Sequence, residues 1–317
     1  MEYRKLGSCA LKLSSVSVGG WLTAGGSVQD QTFHEILRAA IDGGINFIDL
    51  ADIYARGEAE RVVGRLLGQY RRSDLVLSSK VFWPMSDNIN DRGLSRKHIM
   101  ESCEKSLQRL GTDYLDLYFC HRMDPETALD ETVRAMDDLV RQGKILYWGT
   151  SVWSGQAMRE AHAIADRRNA YAPVVEQPMY HLLDRGIEDE VLPTARELGM
   201  GTVVWSPLAG GVLTGKYNDG PLEGTRATST PWLEGWLTEA CLDKVRALDA
   251  MAKELDMTCG QLSLAWLLHQ TGVSSVITGA TRRAHVESNL KAASASLDAD
   301  VLGAIANLVA RESAHAG

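Results

Sequence analysis

Short apolar runs alternate with longer amphipathic stretches along almost the whole chain, and this alternation constrains the fold more than any other feature. Val16–Gly20, Ile45–Asp49, Leu75–Lys80, Tyr114–His121, Ile145–Ser151, Pro173–Gln177, Thr202–Trp205 and Ser274–Thr278 read as strands. They are rich in Val, Ile, Leu and aromatics, as strands covered on both faces should be. Between and after them, Gln31–Asp42, Ala59–Tyr70, Arg96–Leu110, Leu129–Gln142, Ser154–Arg168, Gly186–Leu198, Ala240–Leu255, Cys259–Gln270 and Ala284–Ala293 read as helices. Gly43, Gly111, Gly143 and Gly199 stand where helices should stop, and Ser95 and Thr258 where N-caps are expected. Eight strand–helix units in 317 residues predict an α/β protein, a (β/α)8 TIM barrel forming a single domain over residues 1–317. The rival is an open doubly wound sheet. Its GxGxxG fingerprint is missing, because the first strand runs into Gly19-Gly20-Trp21. Residues 2–13 read as a small hairpin around Gly7 that caps the bottom of the barrel. Asn218–Leu237 is long and irregular, the mark of a functional or disordered loop.

Composition excludes several classes. A net charge of −8 and a pI near 5.5 leave no basic field for nucleic acid. The five cysteines, Cys9, Cys103, Cys120, Cys241 and Cys259, are odd in number and form no CxxC pair. They point to a reducing, cytoplasmic setting. No apolar run follows the charged Met1–Lys5 start, so no signal peptide is expected. The longest weakly polar stretch, Met200–Gly215, is broken by Pro207 and several glycines, which argues against membrane insertion. No HExxH, CxxC or aspartate triplet suggests a metal. Gly210–Lys216 fits the start of a phosphate-binding GxxxxGK loop, but Tyr217 stands where Ser or Thr would hold Mg²⁺, so ATP is not expected.

Four ionisable residues close, or just follow, successive apolar runs: Asp49 in "GINFIDL", Tyr54 in "ADIYA", Lys80 in "LVLSSK" and His121 in "YLDLYFCH". In a closed barrel the carboxyl ends of the strands converge on one face. A carbonyl being reduced there needs an acid for its oxygen and dipoles for its developing charge. Tyrosine, with an ordinary pKa of about 10, is a weak acid until an ammonium favours its phenolate. Lys80 is placed to do so, Asp49 to hold Lys80, and His121 to orient a small-molecule carbonyl substrate. Cys120 is next to His121, but strand neighbours face opposite ways, so Cys120 should face the helices and not act as a nucleophile.

Beyond these four, "GINFIDLADIY", "LSSK", "YLDLYFCH", "YWGTS", "EQPMYH", "WSPLAGGVLTGKY" and "ITGATRRAHVESN" resemble the aldo-keto reductases from Tyr3 to about Leu297. With "RGLSRKHI" and "ETVRAM" they resemble in particular the branch of potassium-channel β subunits and their bacterial relatives. The resemblance implies a (β/α)8 barrel that binds NADPH or NADP+ without a Rossmann motif. It assigns Asp49, Tyr54, Lys80 and His121 as the catalytic tetrad, with Tyr54 the general acid. It assigns Ser151 and Gln177 to the nicotinamide amide and Trp205 to the face of the ring. Ser206, Leu208 and Gly210 would follow the pyrophosphate, and Lys216 and Arg226 would meet the phosphates from either side of the long loop. Gly279, Thr281, Arg282, His285 and Asn289 would hold the adenosine end at the start of a helix. Trp21 belongs with both the cofactor contacts and a substrate pocket of Trp83, His121, Val152 and Trp153, with Tyr180 nearby.

The expected activity is therefore that of an NADP-dependent alcohol oxidoreductase reducing an aldehyde or ketone. The alternative is a redox-sensing, NADPH-binding accessory subunit of an ion channel or other membrane protein. Channel subunits can carry Asn at the position of His121 and Arg at that of Val152, and both departures favour the enzyme. Arg92 and Arg122 suit a triose phosphate, and a keto-sugar is a further alternative substrate. The branch also implies a homo-tetramer or larger oligomer.

Overall fold

The computed structural model describes residues 1–220 and 231–310. Strands β1 (Tyr3–Lys5) and β2 (Lys12–Ser14) pair antiparallel as a hairpin. Strands β3 (Val16–Gly19), β4 (Phe47–Asp49), β5 (Val76–Val81), β6 (Leu115–Cys120), β7 (Ile145–Thr150), β8 (Val175–Glu176), β9 (Gly201–Val204) and β10 (Val273–Thr278) form a closed parallel barrel. They follow chain order around the ring, and β10 closes it against β3 by pairing Val276 with Val16. Helices α1 (Asp30–Asp42), α2 (Glu58–Leu67), α3 (Arg96–Leu110), α4 (Leu129–Arg141) and α5 (Gly155–Arg168) flank it, followed by α6 (Val191–Glu197), α7 (Glu239–Glu254), α8 (Cys259–Leu268), α9 (Arg283–Ala292) and α10 (Ala299–Leu308). None of the described helices is long and apolar enough to cross a membrane.

Two apolar layers follow from the twofold alternation of strand side chains. Phe47, Val76, Leu117, Phe119, Val175, Val203 and Ile277 pack inside the barrel, where Leu6 and Leu13 of the hairpin join them from below. Ile48, Leu77, Tyr118, Cys120 and Trp148 pack outward with the helices. Stepping two residues along the inward set leads from Phe47 to Asp49, from Val76 through Ser78 to Lys80, from Phe119 to His121, and from Val175 to Gln177. The register that fills the barrel therefore also aims these polar side chains at its mouth.

Several boundaries differ from the sequence reading. The strand expected over Pro173–Gln177 pairs only at Val175–Glu176, because Pro173 and Pro178 have no N–H to donate to a ladder. The helix expected over Gly186–Leu198 splits into a turn at Gly186–Glu188 and α6. Pro193 is tolerated only in a first helical turn and so fixes the start just upstream. Helix α1 stops at Asp42 with Gly43 following it, as expected, but Gly43 stays right-handed and the left-handed residue is Gly44 at φ 90°. Ser95 and Thr258 cap as expected, Thr258 within a reciprocal box with Gln261. Helix α10, capped by Asp298, lies beyond the helices read from the sequence. Within Asn218–Leu237, a helical turn spans Pro231–Trp236, while Arg226 lies outside the described residues.

Candidate active site

Lys80 organises the mouth. Its ammonium is fully buried and donates to Asp49 Oδ2 at 2.7 Å, to the Leu50 carbonyl at 2.7 Å and to the Tyr54 hydroxyl at 3.1 Å. That uses all three of its protons. Asp49 is fixed from its other side, where Oδ1 accepts the Ser78 hydroxyl at 2.8 Å and the Gln177 amide at 2.9 Å. Burial opposes the charge on Lys80, but Asp49 and Tyr54 outweigh it and hold the ammonium above its ordinary range. The pair survives burial because all three ammonium protons and both carboxylate oxygens find partners. Removing one partner of such a pair typically costs about 3–5 kcal/mol.

Tyr54 differs from expectation in one respect. Lys80 does pull its hydroxyl toward the phenolate, yet burial pushes the other way more strongly, and Asp49 adds to that push. The net shift is upward, so the phenol keeps its proton at neutral pH. The ammonium 3.1 Å away then stabilises the phenolate after the proton has left rather than before. His121 lies edge-on to Tyr54 with ring centres 5.9 Å apart, and edge-on to Trp83 at 6.2 Å. Burial, with the charges of Lys80 and Arg122, holds the imidazole well below its ordinary pKa. It is therefore a neutral ring that can donate one hydrogen bond.

Arg122 donates to the His121 carbonyl at 2.5 Å and sits half-buried over the Trp83 ring, 5.6 Å from its centre. Trp21 and Trp83 are partly exposed, and Trp21 meets Trp205 edge-on at 6.5 Å. Val152, just past the end of β7, is 48 % exposed. Trp153 is the exception among the residues expected to line the pocket. It is buried in the outer apolar layer, because the turn at Val152 carries the next side chain away from the mouth. Tyr180 is likewise buried, against Trp266 at 5.4 Å, and Arg92 is exposed. Cys120 packs outward, where burial raises its thiol pKa far above the ordinary range.

The loops after the strands are strained in a consistent place. Leu22, Ala55, Arg56, Val152, Ser206 and Ala209 all have positive φ, and each follows the carboxyl end of a barrel strand. Such conformations are costly for side chains with a Cβ and concentrate where a backbone must meet a ligand. After β9, the left-handed residues Ser206, Ala209, Gly210 and Gly211 bend the segment that contains Leu208 into tight turns. Backbone N–H groups in such turns make concavities suited to phosphate.

A second group lies at the start of α9. Arg282 Nε donates to His285 Nε2 at 2.9 Å, and Nδ1 of the same ring accepts the Thr281 N–H at 3.4 Å and lies 3.3 Å from the Thr281 hydroxyl. Burial, Arg282 and Lys216 together lower the His285 pKa, so Lys216 shares this neighbourhood across the chain. Gly279 is exposed and Asn289 buried, one before and one within α9. Ser151, buried at the end of β7, donates its hydroxyl to the Gln177 carbonyl at 2.9 Å. An aromatic pair over the mouth, paired amide and hydroxyl groups beside Asp49, strained loops and a cationic helix start together fit a nicotinamide dinucleotide carrying an extra phosphate.

Sequence reasoning missed Ser78 and Glu176. Ser78 had a signal, since it lies two residues before Lys80 on the same strand face. Glu176 had one too, as the only charge in the apolar run before Gln177.

The profile of the aldo/keto reductase family matches residues 15–310. The chain is 44% identical over 302 residues to a probable voltage-gated potassium channel subunit beta of Arabidopsis thaliana, covering 92% of this chain and 91% of that one. It is 43% identical to a protein of the same description from Oryza sativa subsp. japonica, at the same coverage. A putative voltage-gated potassium channel subunit beta of Schizosaccharomyces pombe is 42% identical, covering 92% of this chain and 88% of that one.

Proposed function

The chain belongs to the aldo/keto reductase family, and from that premise we propose that it reduces an aldehyde or ketone to the alcohol with NADPH, Tyr54 acting as the general acid. The observation that carries this reading is the contact of Lys80 with both Asp49 and the Tyr54 hydroxyl, at 2.7 and 3.1 Å.

When bound, NADPH supplies the hydride. Ser151 and Gln177 would hold its amide, Trp205 its ring, Ser206, Leu208 and Gly210 its pyrophosphate, and Lys216, Thr281, Arg282, His285 and Asn289 its adenosine end. The substrate oxygen sits between Tyr54 and His121. The neutral His121 orients it with a hydrogen bond. The Tyr54 phenol gives its proton to that oxygen as negative charge develops there, and Lys80 stabilises the phenolate that remains. Asp49 keeps Lys80 charged and aimed.

Tyr54→Phe should lower turnover of 4-nitrobenzaldehyde by about a hundred- to ten-thousand-fold while NADPH still binds. Wild-type turnover by that variant would remove Tyr54 from the mechanism. The partly exposed Trp21, Leu22, Trp83 and Val152 favour flat or apolar carbonyls. Arg122 over Trp83 is the feature that would favour a phosphorylated one. An aldehyde panel with and without phosphate groups separates the two. The descriptions of the relatives support a second reading, an NADPH-binding accessory subunit of a potassium channel. Retention on a channel's cytoplasmic domain, with slow turnover, would favour it. A cytoplasmic homo-oligomer, tetrameric or larger, is part of the proposal in either case.

A further inference from the structure

One buried carboxylate that the proposed chemistry does not use holds the turn after β7. Ser151 keeps the register of that strand, and its N–H still reaches the Cys120 carbonyl at 3.0 Å. Val152 then adopts φ 58°, which a β-branched residue avoids. The N–H groups of Val152 and Trp153 turn away from the sheet at this point and need acceptors. Glu176 supplies them. It lies on β8 opposite Thr150 and faces outward, since its neighbours Val175 and Gln177 face in. It has no exposed surface. One carboxylate oxygen accepts the Trp153 N–H at 3.2 Å, and the other takes the Thr150 hydroxyl. The Val152 N–H also bears on it. The charged and titratable neighbours that act on it are Arg122, after β6, and Cys120, at the end of β6.

We infer that Glu176 is a positioning residue, whose carboxylate holds Ser151, Val152 and Trp153 so that Ser151 faces the cofactor side of the barrel and Val152 forms the rim of the mouth. Its effect on binding rests on the reductase reading, whereas the contact itself does not. Burial raises the carboxyl to about 7, against the hydrogen bonds from Thr150, Trp153 and Val152. The grip should therefore weaken in the acid part of the neutral range, where a proton replaces an acceptor site facing two N–H groups.

Glu176→Gln keeps the shape but turns one acceptor into a donor, and Thr150→Val removes the hydroxyl that orients the carboxylate. Hydrogen–deuterium exchange of the segment over residues 151–153, in the full chain without added cofactor, reads the contact directly. The Val152 and Trp153 amides should exchange about ten-fold faster in Glu176→Gln, as for one lost bond to a charged acceptor, and by less in Thr150→Val. KM for the aldehyde and Kd for NADPH should rise several-fold while kcat stays within about two-fold. The wild-type rise of KM below neutral pH should flatten in Glu176→Gln. Unchanged exchange in the variants, or a fall in kcat at constant KM, overturns the inference. If Glu176→Gln does not fold, Thr150→Val decides. A wild-type protein that neither binds NADPH nor oxidises it with aldehydes sinks the reductase reading alone, because the exchange result stands without it.

Discussion

Asp52, three residues past Asp49, is buried with one oxygen taking the Ser102 hydroxyl at 2.7 Å and the other without a partner. Burial pushes its carboxyl up to about 7, and Glu60 adds to the push while Ser102 and Arg109 resist it. The folded chain therefore holds this proton to near neutrality, whereas the unfolded chain releases it near the ordinary aspartate value. Between those values the folded state binds more protons, so stability falls as pH rises. Asp52→Asn should remove that share of the slope, about 2 kcal/mol between about pH 5 and about pH 7, read by urea unfolding at each pH. Lys80→Met should act the other way. It strands a buried Asp49 carboxylate, costing about 3–5 kcal/mol in the same assay, and leaves the Tyr54 phenolate without its counter-charge, so reduction should nearly stop. Asp49, Tyr54, Lys80 and His121 were legible in the sequence because each closes or follows an apolar run. Asp52 and Glu60 were not, because their partners Ser102 and Arg109 lie far along the chain. Glu60 meets Arg109 and the Ser79 hydroxyl only once α2 and α3 have packed on β5.

At the scale of elements, the strand register does most of the placing. β7 passes Phe119 and β8 so closely that a Cβ on Gly149 would lie 2.3 Å from Val175 Cγ1 and 2.6 Å from the Val175 carbonyl. Gly149→Ala should therefore force β7 from β8 and cost at least about 2 kcal/mol, with loss of cofactor binding because Ser151 and Gln177 sit just beyond. Denaturant unfolding and an NADPH titration on the same samples check it. Strand and helix identities were largely readable from apolar spacing, and N-caps such as Thr258 from their residue types. Lengths were less so, because Pro173, Pro178 and Pro193 act through missing N–H groups that a hydrophobicity pattern does not register. The outward turn of Trp153 was also hidden, since it depends on a left-handed Val152 that no residue preference would suggest.

At the scale of the molecule, a chain of net charge −8 has to hold a polyanionic dinucleotide. Long-range attraction is absent, so the local cations must carry the preference. Arg282→Ala should weaken NADPH about ten-fold and leave NADH within about two-fold, since only the former bears the extra phosphate. Fluorescence titration of both cofactors tests this, and equal losses would displace Arg282 from the phosphate. One more property follows from the ring being closed by its first and last strands. During synthesis β3 emerges early but waits for β10, so until Val273–Thr278 has left the ribosome the growing sheet has two open edges. The nascent chain is then a candidate for chaperone capture, and a ribosome stalled just before Val273 should display a protease-sensitive product where one stalled well past Thr278 does not.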